Sequence, residues 1–256
     1  MPKLSQLGAF RLPFFCLRCH PEGHKYMYDR IYANQGNVPL IEMIIDCARV
    51  LDVGCGAGDN ARLVKARHPE CKVFGITRSP LEAELARQHM EYCWIFDIEG
   101  DLPPDLANQT FDTLIFSHVL EHLRDPGTVL ARFLALLSND AQVLIAVPNI
   151  LSWRMRLQFL FGRFEYTSEG VLDDTHLHFF TFHTADQFLL SGLPSLSVSK
   201  IATGAVPLWW LRRYLLPKSW CARIDQWGCR HWPNLFGDHI IIQATSISPR
   251  STMPLK

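Results

Sequence analysis

One run constrains this chain more than any other: VLDVGCGAGDN, Val50 to Asn60, where an apolar strand meets three alternating glycines, Gly54, Gly56 and Gly58. A buried strand that must turn within a few residues into a helix needs backbone conformations that a Cβ penalises, and glycine removes the penalty. Without side chains there, a ligand can approach the main chain. The helix that follows offers unpaired amide donors at its N-terminus. Taken alone, the run also fits a dinucleotide-binding turn, or a tight strand-to-helix turn with no ligand.

Short apolar runs alternate with helical stretches after this point, which predicts βαβ units and a parallel sheet. Strands are expected at 49–54, 72–76, 92–96, 112–117 and 142–147, with helices at 39–48, 60–66, 80–89, 126–137 and 184–191. Glycine or proline signals open the helices at 60–66, 80–89 and 126–137. Two later runs, 195–201 and 239–244, would complete the sheet as an antiparallel pair.

Composition narrows the function classes. The 256 residues are 48% hydrophobic, enough for a sizeable core. Twenty-five basic residues balance twenty-five acidic ones, so overall charge points to neither a nucleic-acid binder nor a membrane-surface protein. The eight cysteines lie far apart, and Cys47, Cys55, Cys71 and Cys93 fall in core elements, unlike a secreted disulfide framework. The one apolar run near the N-terminus, Leu12 to Leu17, is broken by Pro13 and has no cleavage site after it. A cytoplasmic protein, soluble or at most peripheral at the inner membrane, is the expectation.

Three further stretches follow the glycine run: FDIEGDLP (96–103), FDTLIFSHVLEHLRDP (111–126) and VLIAVPN (143–149). With VLDVGCGAGDN they resemble class I S-adenosylmethionine-dependent methyltransferases, from Val50 to Leu193. Pro148 to Thr181 is similar to a bacterial branch linked to envelope-glycan or small-molecule modification, with ubiquinone-type and methionine-biosynthesis-type relatives. The resemblance implies an α/β, Rossmann-like, doubly wound and mostly parallel seven-stranded sheet, with an antiparallel final strand and a helical cap. One domain would span residues 1–256, with a core at 36–193 and substrate-side cap elements at 149–183 and 206–232.

The resemblance also implies S-adenosyl-L-methionine as cofactor. Asp52, Gly54, Gly56 and Gly58 would hold its methionine end, with Cys55 and Ser117 beside them. Asp97 would accept from the adenine amine, and Ile98 would pack on the ring. The family's second strand usually ends in an acid that takes the ribose hydroxyls, but here GITRSP puts Thr77 at that position. Thr77→Asp is therefore expected to tighten cofactor binding about tenfold. Arg78 would stack on adenine or lie solvated at the surface.

A hydroxyl acceptor needs a base. His118 and His122 flank Glu121 after the fourth strand, while His176 and His178 follow Asp173 and Asp174 in a later loop. His176 is the leading base, with His118 and His178 behind it; His122 also suits a loop-orienting role. His118, Glu121 and His122, at i, i+3 and i+4, would share a helical face and resemble the ExxEH metal site of ubiquinone-type O-methyltransferases and small-RNA 2′-O-methyltransferases. A downstream histidine would complete such a site, but no metal is assigned. Cys16, Cys19, His20 and His24 are spaced too tightly for the common zinc modules and read as incidental.

Residues 206–232 set Arg212, Arg213, Lys218, Arg223 and Arg230 among tryptophans, against Asp225. They read as a cap over the site, or as a contact with a membrane surface or an anionic acceptor. The expected function is O-methylation of a small molecule such as a sugar or lipid-linked glycan, with no nucleic-acid partner. The alternatives are N- or C-methylation, or a non-catalytic methyltransferase-like partner of a biosynthetic enzyme.

Overall fold

In the computed structural model, the chain is described over residues 35–191, 196–207, 212, 214 and 216–246. These lie in the compact unit Ile31–Lys256. The Cys16, Cys19, His20 and His24 cluster falls outside the described residues.

Seven strands form one sheet: β1 (Arg49–Val53), β2 (Lys72–Thr77), β3 (Tyr92–Ile95), β4 (Phe111–Ser117), β5 (Leu137–Pro148), β6 (Leu196–Thr203) and β7 (His239–Ser246). Their order is β3-β2-β1-β4-β5-β7-β6. The first five run parallel, and β7 enters antiparallel between β5 and β6. The seven-stranded sheet with its antiparallel final strand is as expected from the sequence.

Because side chains alternate across a strand, β1 feeds both faces. Leu51 and Val53 join one buried cluster with Phe116, Val129 and Phe133. Val50 joins the other with Ala61, Val64, Ile115 and Leu144. The strand order reverses at β1, which pairs with β2 on one side and β4 on the other. In open α/β sheets the crevice at such a reversal, beyond the carboxyl ends of the strands, is where ligands bind.

The helices are α1 (Val38–Ile41), α2 (Asp59–Arg67), α3 (Pro80–Ala86), α4 (Pro104–Ala107), α5 (Pro126–Leu134), α6 (Trp153–Leu160), α7 (Ala185–Leu189), α8 (Lys218–His231) and α9 (Pro233–Phe236). Proline in the first turn and a capping oxygen start α3 and α5: Ser79 accepts from the Glu82 amide, and Asp125 from that of Thr128. Residues 39–48 do not form the expected helix, because α1 ends at Ile41. The carbonyls of Met43 and Asp46 accept instead from Gln243 and Gln142, at 3.0 Å each, which satisfies that backbone from the sheet side.

The region expected as a cap contains α8, which packs against β6 and α9. Asp225 ties it down, accepting from the Val206 amide at 2.8 Å and from the Arg212 guanidinium. One of the region's five basic side chains is thus spent inside the fold rather than offered to a ligand.

Candidate cofactor and acceptor site

At the end of β1 the three glycines adopt the left-handed conformations that the sequence called for, with φ of +75° at Gly54, +51° at Gly56 and +88° at Gly58. Crowding adds to the demand. A Cβ on Gly58 would lie 2.8 Å from the Ala86 Cα on α3, and one on Gly54 would strike the Val119 side chain. Cys55 locks the loop to β2 by donating its amide to the Ile76 carbonyl at 2.8 Å. Its thiol lies 3.7 Å from Cys93 on β3. The hydrogen bond between the two thiols, then burial, pushes Cys55 well above its ordinary pKa, so it lines the loop as a neutral group.

Asp52, on β1, is 1% exposed. Neither of its oxygens has a hydrogen-bond partner of good geometry. Burial pushes its carboxyl up to about 7, opposed only by the approach of Asn60 from the first turn of α2. An uncompensated buried carboxyl beside a glycine loop is a poor arrangement for an empty structural turn. It suits the cationic end of a ligand.

Around β2 and β3 the remaining expected contacts divide. Thr77 is buried at the end of β2 and donates its hydroxyl to Glu82 Oε2 at 2.7 Å. Arg78 is exposed beside it. Asp97 is exposed after β3, with Oδ1 accepting from the Glu99 amide at 3.0 Å. Ile98 is buried in the core cluster, its carbonyl held by Arg132 at 2.7 Å.

On the other side of β1, β4 ends at Ser117, and its register sets Phe116 opposite Val53. His118 follows at φ +57°, a backbone conformation costly for a residue with a Cβ. The expected helical face of His118, Glu121 and His122 does not exist, because only Leu120–His122 are helical and they form a 3-10 turn. The strained His118 nevertheless meets Glu121, with Nδ1 3.2 Å from Oε1. His118 lies two residues before that turn, and the contact spans i to i+3.

Glu121 is fully buried. Burial alone would raise it, but the hydrogen bond with His118 and the fields of His118 and His122 outweigh that and hold it below the ordinary carboxylate value. His122 faces Thr175, with Nδ1 2.9 Å from the hydroxyl. Burial, outweighing the pull of Glu121, holds His122 below the usual imidazole range.

The later loop clamps onto this turn, since the Leu177 and His178 amides both donate to the Glu121 carbonyl, at 2.8 and 3.1 Å. His176 has a side chain only 6% exposed, Nε2 4.0 Å from Glu121 Oε1, and Nδ1 3.0 Å from the Val171 carbonyl. His178 points elsewhere, to the Arg124 carbonyl at 3.3 Å. Glu121, His122 and His176 together bring three ligand-type atoms within 4.8 Å of one another.

His239 at the start of β7 was not singled out from sequence. Its ring lies 4.9 Å from that of His118, and burial lowers it to about 4. A lone histidine opening a strand carries no pattern that announces it. Glu82 was also missed, although the Ser79-Pro80-Leu81-Glu82 run has the form of a capping box.

A family model described as "Methyltransferase domain" matches residues 26–189. The chain belongs to this family. Its fold is that of class I S-adenosylmethionine-dependent methyltransferases. A ubiquinone biosynthesis O-methyltransferase of Mesorhizobium japonicum is 28% identical over 168 residues, 56% of this chain and 64% of that protein. A trans-aconitate 2-methyltransferase of Methylobacterium radiotolerans is 29% identical over 103 residues, 40% of this chain and 38% of that protein. The chain thus spans less than two thirds of the length of either relative.

Among solved methyltransferase folds, a S-adenosylmethionine-dependent methyltransferase from Thermotoga maritima superposes with a TM-score of 0.55 at 16% identity, covering 82% of this chain and 87% of that one. The plantazolicin methyltransferase BpumL, solved with S-adenosylhomocysteine, gives 0.53 at 15% identity over 82% and 80%. The family's cofactor fits the residues present: the unpartnered Asp52 suits a cationic amine, and it stands on β1 directly before the glycine loop.

Proposed function

We propose that this methyltransferase-family chain methylates a hydroxyl of a small molecule, such as a sugar or a lipid-linked glycan, as a single catalytic domain. S-adenosylmethionine, when bound, supplies a methyl group already activated on a sulfonium, so the protein's work is alignment and exclusion of water. Asp52 and the Gly54–Gly58 loop hold the methionine end, Ile98 and Asp97 the adenine end. His118 takes the proton of the acceptor hydroxyl. With its Nδ1 proton directed at Glu121, its Nε2 is left as the acceptor, the arrangement a general base requires.

One observation carries this reading. The β1–β4 register sets Val53 beside Phe116, so the glycine loop and His118 leave neighbouring strands at the same level. His118 has a side chain 34% exposed, against 6% for His176, and is the histidine of the pair that an acceptor can reach. His176 therefore moves from leading base to a buried support of Glu121.

An untargeted search for the metabolite that gains a labelled methyl group, run with calorimetry of S-adenosylhomocysteine, tests the proposal. Binding of the cofactor product without turnover on any acceptor would favour the non-catalytic partner. Turnover should survive chelator, because His118 and Glu121 need no cation. Loss of turnover on chelation, restored by zinc, iron, manganese or cobalt, would instead assign a metal to Glu121, His122 and His176.

The acceptor's lipid linkage rests on a second observation. The described part of residues 206–232 exposes Tyr214, Trp220, Trp227 and Trp232 beside Lys218, Arg223 and Arg230, a mixture suited to an anionic bilayer surface. No helix among the described residues is long and apolar enough to cross a membrane. We place the protein in the cytoplasm, where its free cysteines stay reduced, at the inner-membrane face. Co-sedimentation with anionic but not neutral vesicles is expected, and equal recovery with both would remove the membrane contact.

A further inference from the structure

Two of the thiols scattered through the core meet at the glycine loop. Cys55, between Gly54 and Gly56, has its sulfur 3.7 Å from that of Cys93 on β3, and the two residues are 38 apart in the chain. Gly75, the residue of β2 opposite Cys93, clears the space between them. A Cβ there would lie 2.7 Å from the Cys55 sulfur and would strike Met90. Both thiols are free.

The pair is chemically unequal. The hydrogen bond from the Cys55 thiol outweighs burial and, with the field of Arg87, holds Cys93 below its ordinary value. The fields of Asp52 and Glu82 oppose this and are smaller. Arg87 is tied to the same residue, its guanidinium 3.5 Å from the Cys93 carbonyl. Cys55 shifts the opposite way and keeps its proton. A sulfur favoured as thiolate, in contact with a protonated thiol, is how a reactive cysteine stands beside its resolving partner.

We propose that Cys55 and Cys93 form a reversible dithiol switch, oxidised by peroxide to a disulfide that closes the glycine loop to its ligand. The closing of the loop rests on the proposed binding of S-adenosylmethionine there. The Cys93 thiolate attacks one oxygen of hydrogen peroxide, the O–O bond breaks, and a sulfenic acid and hydroxide form. The Cys55 sulfur then attacks the sulfenic sulfur. Its oxygen leaves as water with the Cys55 proton, so the two thiols together give two electrons to one peroxide.

The S–S bond is about 2.05 Å long, so the sulfurs must close from 3.7 Å. Cys93 is held in β3 along β2, whereas Cys55 lies between two glycines at φ +75° and +51°. The displacement therefore falls on the loop, and a binding site tolerates misplacement of only about 0.5 Å. Burial, at 6% exposure for Cys55 and 1% for Cys93, restricts the oxidant to one as small as peroxide. Transient, redox-sensing bridges are the usual form of disulfide in a reducing compartment.

The test combines peptide mapping with calorimetry. Wild type treated with hydrogen peroxide, alkylated and digested should yield a peptide bridged between Cys55 and Cys93. Its affinity for S-adenosylhomocysteine should fall about tenfold and return with dithiothreitol. Cys93→Ala should bind S-adenosylhomocysteine as the reduced wild type does and keep that affinity after peroxide. Absence of the bridged peptide would overturn the switch. So would a bridged wild type of undiminished affinity, a loss that dithiothreitol does not reverse, or an equal loss in Cys93→Ala. Should that variant not fold, the wild-type map and its reversal decide alone. A reduced wild type that does not bind S-adenosylhomocysteine would overturn the cofactor reading and the closing of the loop with it, whereas binding by the reduced protein with no bridge after peroxide overturns the switch alone.

Discussion

Asp52 and Glu121 are both buried carboxyls at neighbouring strand ends, and the fold treats them in opposite ways. Asp52 has no partner for either oxygen, and burial lifts it to about 7. Glu121 has His118 at 3.2 Å and His122 beside it, and stays below its ordinary value despite complete burial. The first is poised to ionise when a cation arrives. The second is already a fixed anion, positioned to steer imidazoles. The cofactor side of the crevice thus leaves both oxygens of its buried carboxyl without a hydrogen-bond partner, whereas the acceptor side leaves one, Oε2 of Glu121, and ties the other to His118.

The largest effect should come from the acceptor side. His118→Ala removes the proposed base and should lower turnover by 10²- to 10⁴-fold, with S-adenosylhomocysteine affinity nearly unchanged. His176→Ala should act through Glu121, lowering thermal stability more than turnover per folded molecule. If the two variants exchanged these results, the base would return to His176 and the contrast between an exposed and a buried histidine would lose its meaning.

Asp52 gives the next largest effect, and its sign is fixed by linkage. A carboxyl raised from its reference value of 3.8 to about 7 binds its proton more tightly in the folded state. Its contribution to stability is full below pH about 4 and is lost as pH rises to about 7. That gap of some three units sets an upper bound of roughly 4 kcal/mol at 1.36 kcal/mol per unit. Ligand-free Asp52→Asn should therefore be more stable than wild type at pH 8, with a flatter profile between pH 4 and 7, in denaturant melts followed across pH. Wild-type affinity for S-adenosylhomocysteine should rise with pH over the same window, and the variant's should not. A variant destabilised at pH 8 would mean that Asp52 is already well partnered, ending the contrast with Glu121.

The two sides also differ in how far they can be read from sequence. The glycine run is contiguous, and each residue's part follows from backbone geometry, so strand, turn and helix were legible together. The parallel sheet was legible because strand and helix periods alternate cleanly. The histidine cluster gathers residues 118, 121, 122, 176 and 239 from a strand end, a 3-10 turn, a loop and the last strand. No local pattern encodes that His176 would be buried against Glu121 and His118 left open. Glu82 was hidden differently: its spacing from Ser79 announces a cap, and only three-dimensional packing turns it toward Thr77. The expected helix at 39–48 failed for a related reason, as side-chain amides from β5 and β7 took its carbonyls.

Gly56 probes the cofactor side from the main chain. At φ +51° a branched side chain is strained whatever space surrounds it, and it would also occupy the approach to the loop. Gly56→Val should lose about a hundredfold in S-adenosylhomocysteine affinity, roughly 2.8 kcal/mol at 1.4 kcal/mol per decade, in a variant shown by circular dichroism to be folded. Unchanged affinity would move the ligand away from this loop and leave Asp52 without its proposed cation.

The smallest effect tests how far the acceptor side stands without its later loop. Thr175 donates its hydroxyl to Asp173 Oδ1 at 2.6 Å and sets the same oxygen 2.9 Å from His122 Nδ1, so it links the later loop to the turn that carries Glu121. Thr175→Val keeps the shape and removes the link. Neither neighbour is left orphaned, because Asp173 Oδ1 still accepts from the residue 175 amide at 2.9 Å and His122 Nδ1 still faces its carbonyl at 3.3 Å. The cost should then be that of one ordinary hydrogen bond, about 1 kcal/mol, seen as a few degrees in melting temperature for a domain of this size. Turnover should fall less than tenfold with cofactor affinity intact, since His118 keeps its own contact with Glu121. A loss of turnover as large as that of His118→Ala would show that the anion at Glu121 is held in place through His122 and the 173–178 loop, and the acceptor side would then depend on its loop as the cofactor side depends on its ligand.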